Sequence, residues 1–314
     1  MADLVASEND YDDLLGQWSD LESGLGIILS SPTSTREFLL RVVQYDRWMQ
    51  GLMTRDPDVG LYLLFQLAGN SPVGYSASHA LVCATLCHLV AQELGLGGRQ
   101  RDSLVYAAMT MNIAMTDLQD ALANQVEKPN VTQQDVIQSH ARSSQELLST
   151  LGVSDPLWLT TVAGHHDDLP TRINADAVRL SGILKVVDRY AAMISPRMSR
   201  TGRSATESAR AVMAGASAKS DEVAHGLVRA VGVYPPGTFV RLKTGELAVV
   251  LRRSSMANEP YVAIVGDADG ALLRSPRLHR TALGEPRIRT ALAATAVQAG
   301  LNHFHILRLS VGAD

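Results

Sequence analysis

The chain has 314 residues, 46% of them apolar and 19% charged, with 28 Lys plus Arg against 32 Asp plus Glu for a formal net charge of −4. That composition supplies a sizeable packed core and excludes wholesale disorder. The slight acidity excludes a general DNA- or RNA-binding protein, which needs a basic face to neutralise phosphates, although a few local arginines would serve a small nucleotide.

Aromatic residues are only 5% while Ala and Leu abound, which favours helix over sheet. The two cysteines, Cys83 and Cys87, lie four apart in an apolar run. A disulfide across one helical turn would be strained, so a reducing compartment is expected. No basic segment followed by an apolar run opens the sequence, and no uninterrupted apolar stretch reaches membrane-spanning length. A cytoplasmic protein without membrane contact is the expectation.

In chain order, residues 1–70 read as an amphipathic helical segment. Apolar residues recur at helical spacing over 11–30 and 35–54, with Pro32 as punctuation. Asp56-Pro57-Asp58 opens a third helix over 59–68, closed by Gly69-Asn70-Ser71-Pro72. Further helices are predicted over 78–94, 101–125, 132–151, 156–167, 176–194 and, as one or two, 206–231. Thr132 and Asp135 suggest a capping-box start for the third of these. Short links between long helices suggest an antiparallel bundle.

After Pro235-Pro236-Gly237 the pattern changes. Residues 238–242 and 247–252 flank the turn Lys243-Thr244-Gly245-Glu246 as a hairpin, which 261–265 and 271–273 extend to a small sheet. Residues 287–299 read as helix and 305–311 as a final strand or tail. The predicted organisation is therefore mainly α: an N-terminal helical segment (1–70), a helical domain (71–232), a small β appendage (233–285) and a C-terminal helix and tail (286–314).

Several of the nine histidines fall at informative places. His79 begins one helix, His140 lies within another, and the adjacent pair His165-His166 ends a third. Asp188 interrupts the apolar run Leu184-Lys185-Val186-Val187-Asp188-Arg189-Tyr190. A single His is ordinarily a partly buried residue satisfied by hydrogen bonds. A His-His pair at a helix end is a ready ligand set for zinc or iron, and a carboxylate inside an apolar helix needs a partner. His79, Cys83 and Cys87 recur every four residues, which invites a metal or redox reading; small apolar cysteines on a core stripe are the commoner one.

The order of these residues resembles the HD-GYP branch of the HD phosphohydrolase superfamily. The matching residues are His79, Ala107-Ala108-Met109-Thr110-Met111-Asn112-Ile113-Ala114-Met115, His140, His165-His166-Asp167 and Val187-Asp188-Arg189-Tyr190-Ala191-Ala192-Met193. They follow the family's helix-borne His, its "AALLHDIGK" segment, its next helical His, its "HHE" and its "VADxYDAM", over about residues 75–232. The resemblance implies an HD-GYP-like helical bundle, and residues 234–242 resemble the short β appendage that often follows such domains. The family hydrolyses the bacterial messenger cyclic di-GMP at a di- or trinuclear metal centre.

The match departs from the family where the chemistry is done. Met111 and Asn112 stand where the His-Asp pair would supply one ligand and the carboxylate bridging two metals, Met115 stands in place of the Lys, and no Gly-Tyr-Pro follows His166. A thioether is a poor ligand for a hard, water-activating dication, and a neutral Asn does not bridge two cations as a carboxylate does. No catalytic residue is therefore expected. His79 and Asp188 remain as residual ligands of one site, expected to be empty. His140, His165 and His166 could hold a single iron-, zinc- or manganese-type ion; the alternative is that they are relics bonded to one another. Arg142, Lys185 and Arg189, with Arg197, Arg200 and Arg203, are candidates for holding phosphates at the site mouth.

The expectation is a catalytically degenerate HD-GYP-like bacterial signalling protein. It would bind a nucleotide such as cyclic di-GMP, a metal, or a protein partner through residues 1–70 or 233–285, with a homodimer allowed. The alternatives are an active phosphodiesterase with a reduced metal site and a metal-free protein-interaction module.

Overall fold

The computed structural model describes residues 8–70, 73–167, 169–170, 174–199, 202–215, 221–293 and 301–309. The protein is mainly helical, 63% helix and 11% strand, with a small antiparallel sheet towards the C-terminus, as the sequence predicts. α1 (Glu8–Ser30) buries Leu14, Trp18, Leu21, Leu25 and Ile28, a stripe at helical spacing. α2 (Phe38–Arg55) and α3 (Pro57–Asn70) follow after a 3-10 turn opened by Pro32. Asp56 starts α3 by accepting from the backbone N–H groups of Asp58 and Val59 at 3.0 and 3.1 Å.

α4 (Tyr75–Glu93) is the central helix, buried on every face from Ser76 to Ala91. Its small residues Ala77, Ala80, Cys83, Ala84, Cys87 and Ala91 let neighbours approach closely. Around it pack α1, α3, α5 (Gly98–Thr110), α6 (Thr116–Ala123), α9 (Ala175–Ile194) and α11 (Asp221–Val231). α7 (Val131–Thr150) and α8 (Pro156–Gly164) stack outside α5, and α10 (Ala205–Ala214) lies against α9 and α11.

The helix predicted over 101–125 is in fact broken. α5 ends at Thr110, Ile113–Met115 form a 3-10 turn, and α6 begins at Thr116. Long-range bonds hold the break: Thr116 Oγ1 donates to Leu29 O at 3.1 Å, Ser76 Oγ to Thr116 O at 2.8 Å, and the Ser76 N–H to Asp120 Oδ1 at 2.6 Å. Periodicity carries no trace of such partners. The cap of α7 is also not Thr132. Asn130 and Gln133 make a reciprocal capping box, each side chain accepting from the other's backbone N–H at 2.9 Å.

α8 stops at Gly164, short of the predicted end at 167, because the chain turns back there. A Cβ on Gly164 would lie 2.6 Å from Leu169 Cδ1.

The sheet runs in the order β4-β3-β2-β1-β5, with β1 (Phe239–Leu242), β2 (Leu247–Arg252), β3 (Tyr261–Gly266), β4 (Leu272–Arg280) and β5 (Ile288–Ala291). Gly245 makes the β1–β2 turn at φ +95°. Phe239, Leu247, Val249, Leu251, Ala263 and Val265 join the main core, while Val240, Leu242, Ala248, Val250, Val262 and Ile264 form a second cluster on the opposite face.

β5 corrects the helix predicted over 287–299. Ala291 pairs with Val240 in an antiparallel register, so sheet pairing overrides helix propensity there; residues 294–299 lie outside the described residues. The strand or tail predicted over 305–311 is also replaced, by the helix α12 (His303–Arg308), capped by Asn302 and anchored by a 2.7 Å bond between the Tyr62 hydroxyl and His303 Nδ1.

Two buried polar joints brace this assembly. At the sheet, Arg252 pairs with Asp56, and Arg253 pairs with Asp58 and donates to Ala230 O. Removing one partner of a buried pair strands the other charge. Asp56→Ala is therefore expected to cost about 3–5 kcal/mol in chemical denaturation, and a loss below about 1 kcal/mol would contradict this role.

In the bundle, Arg101 grips both oxygens of Asp46 at 2.6 and 2.7 Å, and its Nε donates to His88 Nδ1 at 3.1 Å. Burial, then the Arg101 charge, lower the His88 pKa to about 4. A folded pKa below that of the unfolded chain means the unfolded state binds the extra proton. This contribution is complete above the ordinary His value of about 6.5 and is lost as pH falls towards 4. The slope of stability against pH in that window should flatten in His88→Gln; an unchanged slope would show that His88 is not the group responsible.

Candidate metal centre

Two sets of potential ligands converge where α4, α7, α9 and the end of α8 meet. The first is His140 on α7 with His165 and His166 just beyond α8. His140 and His165 are buried, His166 exposed. A carbonyl oxygen only accepts, so the 2.6 Å contacts of His140 Nδ1 with Ile137 O and of His165 Nδ1 with Val162 O place a hydrogen on each Nδ1. In the neutral ring the lone pair is then on Nε2, and the two Nε2 atoms face each other at 3.2 Å.

Two lone pairs at that distance require a proton or a cation between them. Burial lowers the pKa of both rings, His165 to about 4, which disfavours the proton at neutral pH. The His166 ring closes the set, with centroids 5.0 Å from His140 and 4.1 Å from His165. One ligand atom from each residue lies within 4.8 Å of the others. The residues therefore fit a transition-metal ion, and the carbonyl bonds at the far nitrogens are the orientation that ligating histidines usually have.

The second set is His79 and Cys83 on α4 with Asp188 on α9. The His79 Nε2–H donates to Asp188 Oδ1 at 2.8 Å, Cys83 Sγ lies 3.6 Å from His79 Nε2, and one ligand atom from each again falls within 4.8 Å of the others. Burial alone would raise the Asp188 pKa. The His79 hydrogen bond and charge, with the charges of His165 and His166, overcome this and lower it to about 2. Asp188 therefore lies in the field of both sets.

Tyr75, one turn before His79, stacks on its ring at 5.4 Å and 12°. Arg197 donates to the Tyr75 hydroxyl at 2.7 Å, with its guanidinium carbon 4.6 Å from the ring centroid. Sequence reasoning missed Tyr75, whose signal was its spacing of four from His79. It read Cys83 as core, and the thiol is indeed fully buried, yet it also sits beside the imidazole.

Met111 is packed in the main apolar core. Asn112 Oδ1 is buried and has no partner among the described residues; with Gln119, Ser76 and Ala80 it lines a small void of about 10 Å³. Met115 lines a surface groove with Pro32, Ile113 and Val136. Of the basic candidates, Arg197 is drawn to the centre through Tyr75. Arg142 turns to solvent and pairs with Glu146 at 3.1 Å. Arg189 is exposed, with its guanidinium against Gly215; Lys185 is half-buried on α9, and Arg203 is exposed. Arg200, Asp168, Thr171 and Arg172 lie outside the described residues.

No family model matches the chain. Over 185 residues it is 24% identical to the cyclic di-GMP phosphodiesterase PA4108 of Pseudomonas aeruginosa strain PAO1, covering 57% of this chain and 45% of that protein. The chain thus spans less than half the length of this curated relative. The similarity is distant and agrees with the resemblance carried by the order of the motifs.

Long-range ¹H–¹⁵N spectra of the zinc-loaded protein should show His140 and His165 both as Nδ1–H tautomers. An Nε2–H pattern for either ring would contradict the arrangement described above.

Proposed function

We propose that this chain is a signalling protein of HD-GYP type whose two-metal hydrolytic machinery is degenerate. It holds a transition-metal ion on His140, His165 and His166, and binds a cyclic dinucleotide such as cyclic di-GMP without hydrolysing it. The observation that carries this reading is the pair of Nε2 atoms facing each other at 3.2 Å with both Nδ1 atoms committed to carbonyls. The distant similarity to a cyclic di-GMP phosphodiesterase supports the ligand class.

The absence of hydrolysis follows from residue chemistry. A two-metal mechanism clamps the attacking and leaving oxygens between ions held a few ångström apart by a shared carboxylate. At the positions that match the family's His-Asp pair this chain has a thioether in the apolar core and a neutral amide. When bound, an ion on three imidazoles supplies Lewis acidity with an open coordination position. The protein's own part is to orient the rings through Ile137 O and Val162 O and to present Arg197 for a phosphate. Arg197 is only partly buried, and its guanidinium is the basic group drawn towards the centre through Tyr75.

Elemental analysis, calorimetry with cyclic di-GMP and a hydrolysis assay in iron, manganese or zinc test this together. His166→Ala should lose about one equivalent of metal. Arg197→Ala should weaken nucleotide binding roughly ten- to hundredfold, the value of a charged hydrogen bond. No product should accumulate with the wild type. Metal-dependent turnover abolished by His166→Ala would overturn the degenerate reading in favour of a working phosphodiesterase with a reduced site. Binding of neither metal nor nucleotide would overturn it in favour of a protein-interaction module.

A further inference from the structure

We infer that Cys83 is a metal ligand, and that with His79 and Asp188 it forms a second, thiophilic site that takes zinc in preference to magnesium or manganese. This rests on the reading of this region as a metal centre, but not on the histidine triad being loaded. It also revises the sequence-based expectation that the His79–Asp188 position is an empty remnant.

The geometry is already close to what zinc needs. A tetrahedral zinc at about 2.3 Å from sulfur and about 2.0–2.1 Å from nitrogen separates those two donors by about 3.6 Å; Cys83 Sγ and His79 Nε2 are 3.6 Å apart. The corresponding nitrogen–oxygen separation is about 3.4 Å, so His79 and Asp188, now at 2.8 Å, need to part by about half an ångström. Cys83 and His79 are one turn apart on α4, so they share a face and a rigid support. Tyr75 stacked on the ring fixes its plane.

Charge and protons balance as well. A thiolate, a carboxylate and a neutral imidazole carry two negative charges, matched by one dication. On binding, the Cys83 thiol releases its proton to solvent as the S–Zn bond forms. The His79 ring proton moves from Nε2, which becomes the ligand atom, to Nδ1. That atom is buried without an acceptor among the described residues, so the metal bonds must also offset an unpaired donor. Cys87 gives the contrast. It is equally buried one turn further along α4, but belongs to neither ligand set. A soft sulfur donor disfavours hard dications, so this ligand set compensates for the losses at Met111 and Asn112 with a different metal preference. It does not restore the carboxylate that would bridge two ions.

The test loads the full-length metal-free protein with cobalt(II) as a spectroscopic probe and with zinc for elemental analysis. Wild type, Cys83→Ser, Cys87→Ser and His166→Ala are compared. Wild type should show a near-ultraviolet thiolate-to-cobalt charge-transfer band. The band should persist in Cys87→Ser and His166→Ala, and disappear in Cys83→Ser with about one equivalent of metal. Independently of how Cys83→Ser folds, zinc-edge X-ray absorption of the wild type decides through a sulfur neighbour at about 2.3 Å. A wild type with no charge-transfer band and no sulfur neighbour overturns the inference, as does a band lost in Cys87→Ser instead. If the absent band is accompanied by one equivalent that His166→Ala removes, the triad reading stands alone. If the band is present but His166→Ala loses no metal, the cysteine site stands and the triad reading fails.

Discussion

The backbone carbonyls of Ile137 and Val162 set the chemistry of this protein. Each claims the Nδ1 hydrogen of a buried imidazole, one on α7 and one at the end of α8. That leaves two lone pairs aimed at each other in a region where burial makes a proton unwelcome. An arrangement of this kind is costly when nothing lies between the rings, and it is well matched to a cation. His166 completes this set, and Asp188, in the field of both sets, links it to His79 and Cys83.

The bundle is built to hold that cluster still. α4 is covered on every face from Ser76 to Ala91, so His79 and Cys83 sit on a fully packed stretch of helix. The turn of the chain over Gly164 places the two adjacent histidines where α8 has already ended. α9 contributes the carboxylate of Asp188, and the histidines of both sets stabilise its charge. The sheet stands apart from this centre. Its contact with the bundle is made by Arg252 and Arg253 on Asp56 and Asp58, and by one apolar face continuous with the helical core.

Much of this was legible in the sequence. The helical stripes, the hairpin around Gly245 and the order of His79, His140, His165-His166 and Asp188 follow from periodicity, turn chemistry and residue type. What escaped depends on partners distant in the chain. The break at Met111-Asn112 is held by Leu29, Ser76 and Asp120, and the strand at 288–291 exists because β1 offers it a free edge. The capping residue of α7 was missed by two positions because Thr132 and Asp135 also fit a capping pattern. Cys83 does lie in the core, as its spacing predicts, and its 3.6 Å contact with His79 is the further fact that spacing alone leaves open.

On the proposed function, Met111 and Asn112 are losses and the imidazoles survivors, which calls for a centre that binds metal without two-metal hydrolysis. Diffraction from crystals of the metal-loaded protein, recorded on both sides of the zinc and iron absorption edges, addresses this most directly. The account predicts an anomalous peak where the Nε2 atoms of His140, His165 and His166 converge, with no ion coordinated by Asn112. An ion bridged through Asn112 in a two-metal cluster would contradict it. So would His140 and His165 bonded directly to each other with no metal at full loading.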